Sequence, residues 1–199
     1  MKGVVALAAA FVAAVAPTIA SAELSQAHLR RLLRAKIEAA EELAASSLVV
    51  AAVKRHNARK LSLEKIKELD REWTATSHLT PLKREVLDNP VAKHFRSLVT
   101  FEDTIYSELF LTGNQGATIA AYPLTTDYWQ GDEDKWIKAY NGGAGQVFVG
   151  PVRYDESTKT DSVQISVPVL DGERAIGVLV VGIKLSYVQA KYLKERRGH

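Results

Sequence analysis

Two groups of side chains in the second half of the sequence have the chemistry of a small-molecule site. The first is an aromatic group, Tyr128, Trp129, Trp136 and Tyr140, which follows the acidic residue Asp127. Aromatic walls with a few well-placed polar groups are what a pocket for a small ligand requires. The same side chains are also suited to packing a helix against a sheet, so the sequence leaves both roles open.

The second group is the charged pair Arg153 and Asp155 near the end of a predicted strand. Residues two apart in a strand point to the same face, so these two charges lie side by side. Together they are able to hold a zwitterion or a carboxylate, although an ordinary salt bridge on a solvated edge fits them equally well. Asp127 suits either a ligand amine or an Asx turn that holds its own loop. The predicted ligand-binding residues are Tyr122, Asp127, Tyr128, Trp129, Trp136, Arg153 and Asp155.

The sequence offers little for catalysis. The 199 residues include no cysteine, which excludes disulfides, thiolate metal sites and thiol nucleophiles. The five histidines are scattered and form no H-x-x-x-H pair, and the glycine-rich run 142–145 follows a predicted helix, which is the wrong polarity for binding phosphate. We therefore expect no enzyme activity, catalytic residues, metal or cofactor. The 26 basic and 23 acidic side chains are well mixed, which argues against a nucleic-acid partner.

The candidate binding groups lie within a predicted antiparallel sheet. Five runs of strand-forming residues follow residue 102, and turn-forming residues separate them. These runs are 105–111, 117–122, 146–154, 162–170 and 174–185. The aromatic loop stands between the second and third runs. A short helix follows it and begins at the acidic run Asp132-Glu133-Asp134, whose charges complement the helix dipole.

The first half of the chain is predicted to be helical. Over residues 24–59, apolar residues recur at three- and four-residue spacing with no proline or glycine between them, which predicts one long amphipathic helix. Its apolar stripe runs from Leu29 to Ala51. Ser62, Thr80 and Asn89 each fit the N-cap of a later helix, and proline follows the last two at the first helical position.

Residues 1–22 resemble a secretory signal peptide. Lys2 gives a short positive start, residues 3–16 are small or apolar, and Ala20-Ser21-Ala22 provides an A-x-A cleavage site. We expect cleavage there to deliver the rest of the chain to the periplasm. The alternative is an uncleaved anchor in the inner membrane, because about 20 uncharged residues are able to span a bilayer.

The second half of the chain resembles the Cache, or PDC-type, sensor domains, which are extracytoplasmic relatives of PAS domains. Over residues 116–185, a loop, a strand end, a proline-containing strand and a final hairpin follow one another in the family's order. The segments that carry the resemblance are Thr125-Thr126-Asp127-Tyr128-Trp129-Gln130-Gly131-Asp132-Glu133-Asp134-Lys135-Trp136, Val152-Arg153-Tyr154-Asp155-Glu156-Ser157, Val163-Gln164-Ile165-Ser166-Val167-Pro168-Val169 and Ile176-Gly177-Val178-Leu179-Val180-Val181-Gly182.

The resemblance implies an α+β fold: a PAS-like five-stranded antiparallel sheet with a long N-terminal helix and additional helices packed on it. It also implies that the concave face of the sheet and the aromatic loop enclose a pocket for a small organic solute. Amino-acid-binding members of the family carry an Arg-x-Trp-Tyr pattern and a strand-end Asp preceded by an aromatic residue. Lys135-Trp136-Ile137 and Arg153-Tyr154-Asp155 match these features only in part, so the family's amine and carboxylate contacts are not carried over. The expected ligand is a small organic solute of the carboxylate or amino-acid-like class.

We expect a solo sensor domain, acting in signal transduction or chemoreception through a separate membrane-bound signalling protein. No second apolar run of spanning length and no output domain follow the sensor region. The alternative is a ligand-free interaction protein whose long N-terminal helix forms a homodimer or docks on a partner. The predicted divisions are a signal peptide at 1–22, a long N-terminal helix at 23–60, a sensor domain at 61–190 with its motifs at 102–186, and a charged tail at 191–199.

Overall fold

The computed structural model of the chain describes residues 25–197, and these residues form one antiparallel sheet with helices on both faces. The predicted leader at 1–22 and its cleavage site lie outside the described residues. The expected fold class is confirmed, because the structure is α+β with a PAS-like five-stranded antiparallel sheet. Within residues 25–197, no helix has the length and apolar character needed to cross a bilayer.

The sheet has the strand order β2-β1-β5-β4-β3, and every neighbouring pair is antiparallel. Side chains alternate between the two faces of each strand. In the central strands, Leu109 and Leu111 therefore pack under the first face while Phe110 packs under the second. The strands are β1 (Tyr106–Thr112), β2 (Thr118–Tyr122), β3 (Phe148–Asp155), β4 (Thr160–Asp171) and β5 (Arg174–Lys184).

Five helices cover the first face and share one apolar core with it. The burial of these apolar side chains is the main stabilising contribution on this side of the sheet. The helices are α1 (Gln26–Leu32), α2 (Arg34–Ala45), α3 (Ser47–Asn57), α6 (Pro90–Phe101) and α8 (Leu185–Arg197). Since α8 extends to Arg197, the segment predicted as a charged tail at 191–199 is helical as far as the structure describes it.

The N-terminal segment is three helices, which corrects the single long helix predicted for 23–60. The second break is at Ser46, whose backbone is extended at φ −63° and ψ 144°. The Ser46 hydroxyl donates to the Leu43 carbonyl at 2.7 Å and accepts from the Val49 N–H at 3.4 Å, so it replaces backbone bonds that the break removes. The break rotates the apolar face of the segment. Val49 is therefore buried, whereas Leu48, which continues the four-residue spacing of the predicted stripe, is exposed.

The predicted apolar stripe of this segment packs on the chain's own sheet. Leu29 is 2% exposed and Leu33 is 0% exposed, and both belong to the core under the first face. Side chains buried in this way are not accessible to a second copy or to a partner. The observation that motivated an interaction scaffold based on the N-terminal helix therefore no longer supports it.

Three further helices cover the second face. They are α4 (Leu63–Thr74), α5 (Pro81–Asp88) and α7 (Asp134–Tyr140). The predicted N-caps are confirmed: Ser62 and Thr80 begin α4 and α5, and Asn89 begins α6. The side chain of Asn89 also donates to the Ile119 carbonyl at 3.0 Å, so the start of α6 is tied to the edge strand β2.

A β-bulge in β3 determines on which face of the sheet the charged side chains at the end of this strand lie. The register runs from Val149 opposite Ile165 to Val152 opposite Val163, so β3 has one residue more than β4 between these pairs. The extra residue lies at Gly150-Pro151, and proline is tolerated here because β3 is an edge strand. As a result, residues 153 and 155 join the second face of the sheet.

Candidate functional site

A cavity of about 480 Å³ opens on the second face at the β3 edge of the sheet. We call it the loop pocket, because residues from the loop 126–133 and the start of α7 form one wall and residues from β3 and β4 form the other. The lining is strongly charged. Its ionisable residues are Asp132, Glu133, Asp134, Lys135, Arg153, Asp155 and Glu156, with Tyr154 beside them.

Arg153 and Asp155 both line the loop pocket, as their spacing predicts. Asp155 is held in a fixed orientation, because its Oδ1 accepts from the Ser157 N–H and from the Ser157 hydroxyl, both at 2.8 Å. Its Oδ2 is buried and has no hydrogen-bond partner among the described residues. The side chains of Thr158 and Glu108 are near enough to lower the pKa of this carboxyl as hydrogen-bond donors. Arg153 is exposed at the mouth.

Glu108 lies beneath the loop pocket, on β1. It is 2% exposed, and its Oε1 accepts from Gln164 Nε2 at 2.7 Å. To reach Gln164 on β4, the Glu108 side chain crosses β5 at Gly182, where a Cβ would stand 2.6 Å from Glu108 Cγ. The absence of a side chain at position 182 therefore makes room for a buried carboxyl group.

The two carboxyl groups of Glu108 and Asp155 have opposite pKa shifts. Burial and the nearby charge of Asp155 together raise the pKa of Glu108 to about 7, against the hydrogen bond from Gln164. Burial also acts to raise the pKa of Asp155, but the hydrogen bonds from Ser157 outweigh it and hold that pKa below its ordinary value. The favoured state below about pH 7 is a protonated Glu108 that donates to an ionised Asp155.

None of the predicted aromatic group, Tyr128, Trp129, Trp136 and Tyr140, lines the loop pocket, and the two tryptophans instead hold the loop in place. The indole N–H of Trp129 donates to the Gln115 carbonyl at 2.8 Å, and that of Trp136 donates to the Gly113 carbonyl at 3.2 Å. The ring of Trp136 stacks on Tyr140 with 4.7 Å between centroids. Of the two roles that the sequence leaves open for these two tryptophans, the geometry favours packing.

Tyr128, Tyr122 and Asp127 have different surroundings. Tyr128 is fully buried against Trp73, with 5.7 Å between the ring centroids. Tyr122 is half-buried at the end of β2 beneath the guanidinium of Arg96. Asp127 is half-buried and accepts a hydrogen bond from the Gln130 side chain, and burial together with the Glu133 charge raises its pKa. Asp127 therefore stabilises its own loop beside the loop pocket.

Asp70 on α4 is a positioning residue that the sequence did not reveal. Its Oδ1 accepts from the backbone N–H of Tyr128 at 2.8 Å and of Trp129 at 3.0 Å. One carboxylate thus fixes the start of the segment that forms the loop-pocket wall. No sequence signal distinguishes Asp70 from the other charged residues of α4, because its partners are 58 and 59 residues away.

Replacing Asp70 with alanine is expected to lower the free energy of unfolding by about 2–3 kcal/mol, since two backbone N–H groups lose a charged acceptor. Urea denaturation measures the change. Asp88→Ala is the matched control, because Asp88 forms only an exposed 3.6 Å pair with Arg96 and its loss should cost less than about 1 kcal/mol. Equal losses in the two variants would show that Asp70 does not hold the loop.

Glu108 was also missed, although the sequence contains a signal for it. It stands in the run Tyr106-Ser107-Glu108-Leu109-Phe110-Leu111, where a carboxyl group interrupts a buried strand. Burying an acid is costly unless it is neutralised or hydrogen-bonded, so an acid at such a position indicates a special environment. Within residues 25–197, no group of three or more His, Asp or Glu side chains is arranged to hold a metal ion.

Among known proteins, the chain is similar to several solved structures. No protein-family model matches the chain, and no curated protein matches it. The chain is similar to the sensor domain of DcuS from E. coli, with 14% identity, a TM-score of 0.50, and coverage of 82% of this chain and 96% of that domain. This similarity agrees with the predicted resemblance to Cache domains at the level of the fold.

Two further solved structures are similar to a lesser degree. One is the ligand-binding domain of the Pseudomonas aeruginosa amino-acid chemoreceptor PctB in complex with L-Arg, with 19% identity and a TM-score of 0.45. The other is the ligand-binding domain of the Campylobacter jejuni chemoreceptor Tlp3 in complex with 4-methylisoleucine, with 16% identity and a TM-score of 0.42. The alignments cover 82% and 80% of this chain but only 54% and 63% of those domains.

Proposed function

We propose that the protein is a sensor domain whose loop pocket binds a small organic molecule with a protonated amine and a carboxylate, as in an amino acid. The observation that carries the proposal is the charge of the lining, in which five carboxylates face two basic side chains. An excess of negative charge in a cleft raises the local concentration of cations and favours their binding. A ligand amine is the simplest organic cation for such a site.

Asp155 is the residue best placed to receive the amine. Three neighbouring acids already have basic partners, since Glu133 pairs with Lys135 at 3.1 Å, and Asp134 and Glu156 pair with lysines outside the pocket at 2.9 Å and 2.6 Å. The fourth, Asp132, is exposed to solvent, whereas Asp155 is half-buried. Among the described residues, no basic side chain forms an ion pair with Asp155 or an acidic one with Arg153. A zwitterion would satisfy both charges at once.

The fold supports a role in signalling. The chain shares the architecture of the DcuS sensor domain, although at 14% identity this likeness concerns the fold. In β4, Gln164 lines the loop pocket while its neighbours Val163 and Ile165 pack under the helices of the first face. We propose that ligand binding shifts the position of these helices and that a membrane-bound protein in the inner membrane detects the shift. The predicted leader supports a periplasmic location for this exchange.

Calorimetric titration of the protein with amino acids and with their N-acetyl forms tests the proposal. We expect saturable binding of at least one amino acid and none of its N-acetyl form, which lacks the positive charge. Asp155→Asn should weaken that binding about tenfold or more at pH 8, since a charge-assisted hydrogen bond is lost. Asp134→Asn is the control, because Asp134 already pairs with Lys138, and it should change the affinity by less than about threefold.

Two results would contradict this function. The first is tight binding of compounds without an amine, with no effect of Asp155→Asn. The second is a failure of every amine and amino acid in the series to bind, while the protein remains folded in the same buffer. Either result would remove the electrostatic argument for the loop pocket.

A further inference from the structure

A second cavity lies at the opposite edge of the sheet, beside β2. It has a volume of about 290 Å³ and is enclosed by α3, α5, α6 and β2. None of its lining residues also lines the loop pocket. We call it the β2-edge cavity.

The walls of the β2-edge cavity are mainly apolar. Ala52 of α3, Leu82 and Val86 of α5, and Ile119 of β2 face one another across it. An engineered apolar cavity of about 150 Å³ is sufficient to hold benzene, so this space suits an apolar group of comparable or somewhat larger size. Burying such a group removes apolar surface from water on both sides, which favours binding.

Three buried or half-buried polar groups of the cavity are uncharged and each is able to donate a hydrogen bond. Thr118 is 1% exposed and its hydroxyl has no hydrogen-bond partner among the described residues. Burial raises the pKa of Tyr128 to about 12, which keeps its phenol protonated. Burial also lowers the pKa of His56 to about 4, with a smaller contribution from the charge of Arg59, so the imidazole is neutral at physiological pH.

The remaining charges at the cavity are positive in balance. Arg55 of α3 and Arg59, which lies just after the end of α3, both line the cavity, and Glu85 is the one acid that does so. Glu85 is already paired with Arg59 at 3.1 Å. Pro90 and Val91, the first two residues of α6, line the same space, so the positive end of that helix dipole adds to the field.

We propose that the β2-edge cavity is a second binding site, which takes a small monocarboxylate with an apolar body. The apolar part lies between Ala52, Val86 and Ile119, and the carboxylate lies at the mouth against Arg55 and Arg59. Apolar walls with charge complementarity at one end select this class over a neutral hydrocarbon or an amine. The site is independent of the ligand proposed for the loop pocket.

Titration of the protein with hexanoate, hexan-1-ol and hexylamine tests this site by calorimetry and by backbone amide NMR shifts. We expect saturable binding of hexanoate, weaker binding of hexan-1-ol and no binding of hexylamine. The largest shifts should occur at Val91 and Ile119, and the amides of Asp155 and Gln164 in the loop pocket should not respond. Absence of saturable hexanoate binding, or equal affinity for hexanoate and hexan-1-ol, would overturn the proposal.

Substitutions separate the apolar and charged parts of the site. Arg55→Gln should weaken hexanoate at least about fivefold without affecting hexan-1-ol, since a charge contact is lost. Lys54→Gln is the control, because Lys54 pairs with Asp171 at 2.8 Å and does not line the cavity, and its effect should stay within about twofold. Filling the cavity from either wall, with Ala52→Leu or Ile119→Phe, should abolish binding. Unchanged binding in a folded filling variant would also overturn the proposal.

Discussion

Replacing Glu108 with glutamine is expected to raise the free energy of unfolding at pH 8 by about 3 kcal/mol and to have little effect near pH 4. This magnitude follows from the pKa of Glu108, which burial and the charge of Asp155 raise to about 7 from an ordinary value of 4.5, at roughly 1.4 kcal/mol per pKa unit. Glutamine has the shape of the protonated acid. Its oxygen is able to accept from Gln164, and its NH₂ group is able to donate to Asp155.

The sign of the effect follows from proton linkage. Between pH 4.5 and about 7 the folded protein keeps a proton on Glu108 that the unfolded chain has lost. The folded state therefore binds more protons than the unfolded state, and its stability falls as the pH rises through this range. Above about pH 7 the penalty is complete, because the buried carboxyl is ionised beside Asp155.

Urea denaturation of the wild-type protein and of Glu108→Gln at several pH values measures this effect. The difference between the two curves isolates Glu108 from other titrating groups. His56 is one of these, since its lowered pKa makes the stability rise between about pH 4 and 6.5, opposite to Glu108. Glu156→Gln serves as the control, because Glu156 is exposed and its variant should give a curve parallel to that of the wild type. A constant difference between Glu108→Gln and the wild type from pH 4 to 8 would show that Glu108 titrates normally.

Much of the sheet follows from local sequence signals. The Gly113-Asn114-Gln115-Gly116 run and the Asp171-Gly172-Glu173 run both connect strands, and the strand ends lie within a few residues of the predicted ones. Turn chemistry and two-residue alternation depend on neighbouring residues only. The break at Ser46 is different, because serine is compatible with both a continued helix and a new N-cap. The packing of this segment against the sheet favours the new N-cap at Ser46.

The candidate site depends on contacts between residues that are far apart in the sequence. The spacing of Arg153 and Asp155 correctly predicts that both side chains lie on one face of the sheet. The bulge at Gly150-Pro151 determines which face this is, and the bulge itself depends on the register of β3 with β4. Glu108 reaches Gln164 only across Gly182, and both of these residues are far away in sequence. For the two tryptophans, the sequence does not distinguish between two roles. Their spacing is the same for lining and for packing, and only the carbonyl partners of Trp129 and Trp136 favour the second role.

Gly116→Ala is expected to lower the free energy of unfolding by at least about 3 kcal/mol. A Cβ at position 116 would stand 2.4 Å from the backbone nitrogen of Gly131 and 2.5 Å from its Cα. Backbone atoms cannot rotate away as a side chain does, so either the hairpin or the loop must move. The φ angle of +82° adds strain of about 1–2 kcal/mol for any residue with a Cβ.

Gly172→Ala separates these two contributions. Gly172 also has a positive φ, +61°, but a Cβ there would meet no atom within 4 Å. Its alanine variant should therefore lose only the strain part, about 1 kcal/mol, and the excess loss in Gly116→Ala measures the clash with Gly131.

The clash also has a consequence for the proposed ligand site. Gly131 directly precedes the acidic run that lines the loop pocket, and Gly116 accepts a hydrogen bond from Gln130 at 2.9 Å. Displacing this contact shifts Asp132 and its neighbours relative to Asp155. We therefore expect Gly116→Ala, where it remains folded at low temperature, to weaken amino-acid binding, and Gly172→Ala to leave it unchanged. Equal stability losses in the two variants would contradict the close approach of the hairpin to the loop, because strain alone would then account for both.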